Sequence, residues 1–235
     1  GSDEVIDLLM RMFCNPGVDN IITLPPTYGM YSVSAGINDI GVREVPLTPS
    51  FQPDVEAILG AADEESKLLF ICSPNNPTAN LVNKEMIIEL LNRFKGLVVI
   101  DEAYIDFCPT ASVVSLINEY PNLFIMQTLS KAWGLAGVRI GIGIGRPDLI
   151  RVLDNIKPPY NISVLNAAAA MEALSNSTLM KENVAILLGE RVWLIDALRQ
   201  LKSVEKIFPS DANFVLVKIK EADQVYRKLI EQKIV

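Results

Sequence analysis

The chain has 235 residues, half of them hydrophobic, which is long enough for one large α/β domain and part of a second. Its 21 basic and 28 acidic residues give a net charge of -7, which argues against nucleic acid and anionic membrane surfaces as partners. It has no histidine and only three, widely spaced cysteines, which excludes Ser-His-Asp and Cys-His catalysis within the chain and gives no basis for a metal site.

Two further features bear on where the protein resides. Cys14, Cys72 and Cys108 form no CxxC pair and are expected to be reduced, as in a cytoplasmic protein. No apolar run reaches about 18 residues, so a membrane-spanning helix is not expected. We therefore predict a cytoplasmic location.

The N-terminal part alternates helix-like and strand-like patterns. Apolar spacing and turn residues predict three helices, over Asp3–Phe13, Tyr28–Ile37 and Pro53–Leu59. They predict two strands between these helices, over Asn20–Leu24 and Val42–Leu47. The proline at the start of the third helix is expected in its first turn.

Three continuous apolar runs of strand length follow, at Lys67–Cys72, Leu97–Ile100 and Leu123–Met126. Helix-like stretches over Lys84–Phe94 and Ser112–Glu119 separate them. Strands that are apolar on both faces are typical of a parallel sheet covered by helices on both sides. The predicted fold class is therefore α/β, with a mostly parallel sheet and helices on both faces.

The C-terminal third has a different pattern. Helices are predicted over Pro147–Ile156, Val164–Leu174 and Lys181–Leu201, and the last is long enough to link two lobes. Strands at Val204–Ile207 and Asn213–Ile219 and a helix at Ala222–Glu231 are typical of the start of a small α+β domain. We assign residues 1–180 to a large domain and residues 181–235 to the linking helix and an incomplete small domain.

Unusual polar residues come directly after each of the three apolar strands. They are Asn76 after the first, Asp101 and Tyr104 after the second, and Thr128, Ser130 and Lys131 after the third. Taken singly, each is ordinary turn or surface chemistry. Because the carboxyl ends of parallel strands lie at one edge of a sheet, where ligands bind, the six together predict a site there.

The glycines at 141, 143 and 145 give a different signal. They superficially resemble a dinucleotide-binding fingerprint, but Arg146 stands where a third loop glycine would be needed. They also lie inside a predicted strand, Arg139–Ile144, and not in a strand-to-helix turn. Close packing is the better interpretation.

Five segments, which occur along the chain in the same order as in the family, resemble the fold-type I pyridoxal-phosphate-dependent aminotransferases, most closely the histidinol-phosphate aminotransferases. They are Gly1–Glu4, Pro26–Tyr31, Ser73–Thr78, Asp101–Phe107 and Thr128–Arg139, and Pro158–Asn161 and Ser210–Phe214 extend the match. In one departure, Ala79 stands where the family usually has glycine. The resemblance also implies a homodimer, and an N-terminal arm that this chain does not include.

The resemblance implies one role for each matching residue. Lys131 would hold pyridoxal 5'-phosphate covalently and then carry a proton, for which a buried site is expected, and Asp101 would pair with the protonated pyridine nitrogen. Asn76 and Tyr104 would bind the 3′-oxygen, and Tyr28 would stack on the ring. The phosphate would be bound by Thr128, Ser130, Arg139 and the backbone of Ser2 and Asp3. Asn161 is a candidate substrate residue.

The implied reaction is amino transfer from histidinol phosphate to 2-oxoglutarate, which gives imidazole-acetol phosphate and glutamate in histidine biosynthesis. Three alternatives stay open at the level of sequence. One is a related pyridoxal-phosphate-dependent decarboxylase of the threonine-phosphate type, and another is an aminotransferase of other specificity. The non-enzymatic alternative is an inactive, truncated α/β binding module.

Overall fold

The computed structural model describes residues 1–234 as alternating strands and helices. The helices are α1 (Ser2–Phe13), α2 (Met30–Ile37), α3 (Val55–Ala61), α4 (Lys84–Arg93), α5 (Pro147–Ile156), α6 (Val164–Ser175), α7 (Ser177–Arg199) and α8 (Ala222–Glu231). The strands are β1 (Asn20–Thr23), β2 (Gly41–Glu44), β3 (Ser66–Cys72), β4 (Leu97–Asp101), β5 (Leu123–Thr128), β6 (Gly141–Ile144), β7 (Val204–Ile207) and β8 (Val217–Ile219).

A six-stranded sheet organises the first 144 residues, with the strand order β2-β1-β3-β4-β5-β6. The five strands from β1 to β5 run parallel to their neighbours, and β6 pairs antiparallel with β5. Asp101 at the end of β4 lies opposite Cys72 on one side and Met126 on the other. The carboxyl ends of β3, β4 and β5 therefore meet at one edge, as predicted.

Both faces of this sheet are covered, which explains the continuous apolar runs. Successive residues of β3 point to opposite sides, so Leu69 and Ile71 enter one core while Leu68 and Phe70 enter the other. The first core packs against α3 and α4, and the second against α1, α2 and α5. The predicted fold class, a mostly parallel sheet with helices on both faces, is confirmed.

The segment Ser112–Glu119 was predicted as a helix, and this prediction is wrong. The structure instead has three short 3-10 turns, at Ile105–Phe107, Pro109–Ala111 and Val114–Asn118. The buried carboxylate of Glu102 accepts from the Val113 backbone N–H at 2.8 Å and from the Ser112 hydroxyl at 2.9 Å. The Glu102 carboxylate therefore fixes the start of this segment.

Several predicted boundaries differ from the structure by a few residues. α3 begins at Val55, since the Asp54 side chain accepts from the Ala57 N–H at 3.0 Å, so Pro53 precedes the helix. α2 begins at Met30, two residues after Tyr28. α7 begins at Ser177, and β8 is only three residues long. Among residues 1–234, no helix combines the length and the apolarity that a bilayer crossing requires.

The segment Ser210–Phe214 joins the C-terminal part of the chain to the sheet edge. The Asp211 backbone N–H donates to the Ala79 carbonyl at 2.7 Å, and the Asp211 carboxylate accepts from the Leu81 N–H at 2.8 Å. The Phe214 ring packs edge-on against Tyr104 at 5.0 Å. This part of the chain therefore contacts the predicted site directly, while the division at residue 180 stays a prediction.

Ala79, the departure from the family pattern, has a left-handed backbone with a φ of +66° and a fully buried side chain. This conformation costs an alanine about 1 kcal/mol and costs glycine little, which accounts for the usual glycine. The Ala79 methyl packs in a small cluster with Tyr104 and Ala212. Burial of the methyl therefore offsets part of the backbone cost.

The glycines at 141 and 143 in β6, and Gly145 directly after it, are explained by close packing, as predicted. A β-carbon at position 143 or 145 would lie 2.8 Å from the Phe124 ring. A β-carbon on Gly141 would lie 2.4 Å from the backbone nitrogen of Ser2. Gly141 therefore allows the N-terminus of α1 to reach the sheet edge.

Replacing Gly141 with alanine should force the first turn of α1 away from β6, because the contacting atoms are backbone and cannot rotate aside. We expect the free energy of unfolding to fall by about 1–3 kcal/mol, the usual cost of overpacking. Gly36→Ala in α2 is the matched control, since a β-carbon there meets no atom within 4 Å. Urea unfolding of both variants tests this, and equal stabilities would contradict it.

Candidate active site

A cavity opens at the carboxyl ends of β3, β4 and β5 and reaches the N-terminus of α1. The volume inside the cavity is about 140 Å³, and its mouth is open to solvent. Its lining residues are Ser2, Asp3, Tyr28, Cys72, Asn76, Asp101, Ala103, Tyr104, Thr128, Ser130, Lys131 and Arg139. All ten residues predicted to bind the cofactor are among them.

Asp101 lies at the inner end of the cavity and is almost completely buried. Its Oδ2 accepts from the Tyr31 hydroxyl at 2.7 Å, and its Oδ1 accepts from the Ala103 backbone N–H at 3.0 Å. Burial raises the pKa of the Asp101 carboxyl to about 6, although both hydrogen bonds act in the opposite direction. Among residues 1–234, no lysine or arginine forms an ion pair with this carboxylate.

The raised pKa of Asp101 predicts how the stability of the cofactor-free protein depends on pH. The folded state favours the protonated carboxyl of Asp101. Its contribution to the free energy of unfolding is therefore complete below 3.8, the pKa in the unfolded chain, and is lost as the pH rises through about 6, the pKa in the folded protein. Above that pH the buried charge should lower the free energy of unfolding by about 3 kcal/mol. Asp101→Asn, which keeps the shape without the charge, should therefore be the more stable protein at pH 8.

Urea unfolding of the two cofactor-free proteins at pH 4.5 and pH 8 tests this expectation. The difference should be about one third of its full value at pH 4.5, where the unfolded carboxyl is already mostly ionised, and should approach its full value at pH 8. A difference that does not change with pH would show that the Asp101 charge is compensated in the folded protein.

Lys131 lies in the tight turn that follows β5, where the Gly134 N–H donates to the Lys131 carbonyl at 3.0 Å. Its Nζ is 5.1 Å from the centre of the Tyr104 ring, at the mouth of the cavity. The residue is exposed, so the expectation of a buried lysine is wrong for the chain by itself. The reason is that the residue follows the strand end in a turn on the open side of the cavity.

Hydrogen-bond donors gather at the α1 end of the cavity. The backbone N–H groups of Ser2 and Asp3 lie in the first turn of α1, where helix geometry provides no intrahelical acceptor. The Arg139 guanidinium lies beside them, with its Nη2 3.5 Å from the Asp3 carboxylate. With the hydroxyls of Thr128 and Ser130, these groups form a typical anion site.

The sides of the cavity are aromatic and amide groups. The Tyr28 hydroxyl donates to Asp3 Oδ1 at 3.1 Å, and its ring packs edge-on against Tyr31 at 5.7 Å. Burial, and next the Asp3 carboxylate, raise the pKa of Tyr28 to about 12, so the phenol stays neutral. Asn76 and Tyr104 complete the lining with an amide and a second phenol.

The structure does not bring Asn161, the candidate substrate residue, to this cavity. Its side-chain amide donates to both carboxylate oxygens of Glu4 at 3.3 Å. Asn161 lines a neighbouring groove beside α1 and α5, which meets the cavity only at Arg139. Its role as a substrate residue stays a prediction, and the structure places it in this neighbouring groove.

Sequence reasoning missed three residues at the site: Cys72, Ala103 and Tyr31. Cys72 ends β3 opposite Asp101, so its position could have been read from the strand register. Ala103 follows Asp101 by two residues and donates a backbone N–H. Tyr31 lies three residues after Tyr28, and only this spacing hinted that the two rings would meet.

The arrangement fits pyridoxal 5'-phosphate. A buried carboxylate without a cation partner, Asp101, suits the protonated pyridine nitrogen. The donors at the α1 end suit the phosphate, and the Lys131 amine at the mouth suits the aldehyde. The residues present therefore match each polar end of the cofactor with a group of complementary charge.

Comparisons with known proteins give a consistent result. The family model described as aminotransferase class I and II matches residues 1–235. The histidinol-phosphate aminotransferase of Flavobacterium johnsoniae is 53% identical over 235 residues, which are 100% of this chain and 67% of that protein.

Two solved structures show the same architecture. The histidinol-phosphate aminotransferase from Clostridium acetobutylicum has a TM-score of 0.91 and 28% identity, covering 100% of this chain and 71% of that one. The histidinol-phosphate aminotransferase from Sinorhizobium meliloti, solved in complex with pyridoxal-5'-phosphate, has a TM-score of 0.88 and 24% identity. The match covers 99% of this chain and 64% of that one. At this identity, the similarity shows that the two chains share a fold.

The family match and the relatives confirm the predictions of a pyridoxal-phosphate cofactor and of a transferase enzyme. They leave open which substrate this chain uses and which role each residue of the cavity has. The chain belongs to the aminotransferase class I and II family.

Proposed function

We propose that this protein transfers the amino group of histidinol phosphate to 2-oxoglutarate, forming imidazole-acetol phosphate and glutamate in histidine biosynthesis. The observation that carries the proposal is the cavity at the sheet edge, where a buried carboxylate, a lysine and an anion site converge. The substrate is supported by the relatives, since the curated proteins from Flavobacterium johnsoniae and Cytophaga hutchinsonii are both histidinol-phosphate aminotransferases.

Pyridoxal phosphate supplies, when bound, an electrophilic carbon for the amine and an electron-withdrawing ring. Lys131 would hold the cofactor through Nζ, and its amine at the cavity mouth would accept and return a proton. Asp101 holds the ring nitrogen in its protonated state, because a buried carboxylate gains most from a cationic partner.

The remaining cavity residues orient the cofactor. Asn76 and Tyr104, which line the cavity, would bind the 3′-oxygen, and Tyr28 would pack on the ring. Five residues bind the phosphate, namely Thr128, Ser130, Arg139, Ser2 and Asp3, the last two through their backbone N–H groups. The Asp3 carboxylate pairs with Arg139, which limits the repulsion it exerts on an anion beside it.

The proposal is tested by incubating the full-length holoenzyme with histidinol phosphate and 2-oxoglutarate. Stoichiometric glutamate and imidazole-acetol phosphate are expected. Threonine phosphate is the discriminating second substrate: carbon dioxide release without glutamate would identify a decarboxylase and would exclude the proposed reaction. Glutamate from other amino donors, but not from histidinol phosphate, would identify an aminotransferase of other specificity.

We further propose that the protein acts as a homodimer in the cytoplasm. Tyr160, Val164 and Leu165 form a strongly exposed apolar run (93%, 85% and 82%), next to Asn161 and the groove that meets the cavity. Such exposure favours burial against a second copy. The three free cysteines favour a reducing compartment. Light scattering of the holoenzyme should give twice the chain mass, and a monomer would contradict the dimer.

A further inference from the structure

Tyr31 is a buried hydrogen-bond donor next to the cavity, and it has no role in the sequence-based predictions or in the proposed mechanism. It lies in the first turn of α2 and its side chain is fully buried. Its hydroxyl donates to Asp101 Oδ2 at 2.7 Å, across 70 residues of sequence. A hydroxyl has only one proton to donate, so the structure commits that proton to the Asp101 carboxylate.

The Tyr31 ring is held on two sides. It stacks on Phe70 of β3, with ring centres 4.7 Å apart and an interplanar angle of 18°. The Tyr28 ring, which lines the cavity, meets it edge-on at 5.7 Å. Phe70 and Tyr28 are themselves packed in the core that covers this face of the sheet. The Tyr31 ring therefore has one orientation, and its hydroxyl points at Asp101.

The hydrogen bond from the Tyr31 hydroxyl stabilises the Asp101 carboxylate more than it would stabilise an exposed carboxylate, which water can also solvate. The other hydrogen bond to Asp101 comes from the Ala103 backbone and serves Oδ1, so Oδ2 has Tyr31 as its side-chain donor. Hydrogen bonds to a charged, buried acceptor are among the stronger ones in proteins. Burial, and next the Asp101 charge, raise the pKa of Tyr31 well above its ordinary value, so the donor keeps its proton.

We propose that Tyr31 is a positioning residue: its hydroxyl orients the Asp101 carboxylate in the cavity and thereby sets how firmly this carboxylate pairs with the ring nitrogen of the cofactor. The inference rests on the proposed function for the identity of that partner. The contact between Tyr31 and Asp101 is independent of it.

The groups around Asp101 from other elements stay unchanged when Tyr31 is altered. They are Asp3 of α1, Tyr28 before α2, Cys72 of β3 and Lys131 of the turn after β5. The Cys72 thiol donates to the Pro74 carbonyl at 3.3 Å. Asp3 raises the pKa of Asp101 and Lys131 lowers it. A shift caused by removing the hydroxyl is therefore attributable to the lost hydrogen bond.

Tyr31→Phe removes the hydroxyl and keeps both ring contacts. In the cofactor-free protein, we expect the pH midpoint of the Asp101-dependent loss of stability to move upward by about 1–2 pH units. In the full-length enzyme, we expect the dissociation constant for pyridoxal phosphate to rise about tenfold. Tyr120→Phe is the control, because Tyr120 packs at the edge of the other core and should change neither quantity.

A double-mutant cycle separates positioning from packing. If the hydroxyl acts through the carboxylate, Tyr31→Phe in an Asp101→Asn background should change the pyridoxal phosphate dissociation constant by less than about twofold. Equal effects in both backgrounds, or a stability loss that is the same at every pH, would show that Tyr31 only packs and would overturn the proposal.

A second variant covers the case in which Tyr31→Phe does not fold. Site-specific 3-fluorotyrosine at position 31 keeps the shape and makes the hydroxyl a stronger donor, so the midpoint should move downward. An unchanged midpoint would also overturn the proposal. The midpoint is measured without cofactor or substrate, so its result stands apart from any failure to transaminate histidinol phosphate.

Discussion

Replacing Lys131 with alanine is expected to lower the transamination rate of the full-length enzyme by at least about 10⁴-fold, because the proposed mechanism gives this one residue both the covalent hold on the cofactor and the proton transfer. The fold should not change, since the residue is exposed and exposed substitutions usually cost less than about 0.5 kcal/mol. Steady-state rates and thermal unfolding, measured side by side, test both statements.

Lys206→Ala is a matched control for this prediction. Lys206 also places its Nζ over an aromatic ring, 4.4 Å from the centre of Phe208, but it does not line the cavity. Its replacement should leave the rate within about twofold. Borohydride treatment of the wild-type holoenzyme should fix the pyridoxyl group on Lys131, and the Lys131→Ala protein should carry none. A substantial rate in the alanine variant, or a label on another lysine, would refute the role of Lys131.

Asp101→Asn is expected to lower kcat by about 10²–10³-fold, the usual cost of removing one preorganised electrostatic group from an active site. The asparagine keeps the size of the side chain and can still accept from the Ala103 N–H, but it has no negative charge for the ring nitrogen. KM for the amino donor should change little, because the carboxylate faces the cofactor end of the cavity. Turnover should therefore suffer more than cofactor retention.

Asp106→Asn is the control for this prediction. Asp106 lies in the same segment, and burial also raises its pKa, but it is not among the lining residues of the cavity. Its replacement should leave kcat near the wild-type value. If Asp101→Asn instead kept the wild-type kcat when saturated with pyridoxal phosphate but bound the cofactor more weakly, Asp101 would be a binding residue with no electronic role.

Much of the site could be predicted because its residues follow strands that are easy to recognise. β3, β4 and β5 are short, continuously apolar and buried on both faces, so their ends are visible in the sequence. Parallel strands place those ends together without further information. Asn76, Asp101 and Lys131 could therefore be placed on one edge before any coordinates were known.

Contacts between distant segments were not predictable in the same way. The bond from Tyr31 to Asp101 depends on how α2 packs against β3, and periodicity does not encode that packing. The Glu102 carboxylate similarly decides the conformation of residues 112–113 from ten residues away. Asn161 was assigned by a local match, while the position of the loop after α5 placed it against Glu4.

The sequence alone was sufficient for the fold class, the family and the group of residues around Lys131, because local hydrophobic pattern and strand order specify which side chains share an edge. The tertiary structure decided how those side chains are presented. Asp101 is buried without a cation, Lys131 is open to solvent, and Gly141 lets α1 approach the sheet. Burial and close approach are sums over many distant contacts, so they exist only once the chain has packed.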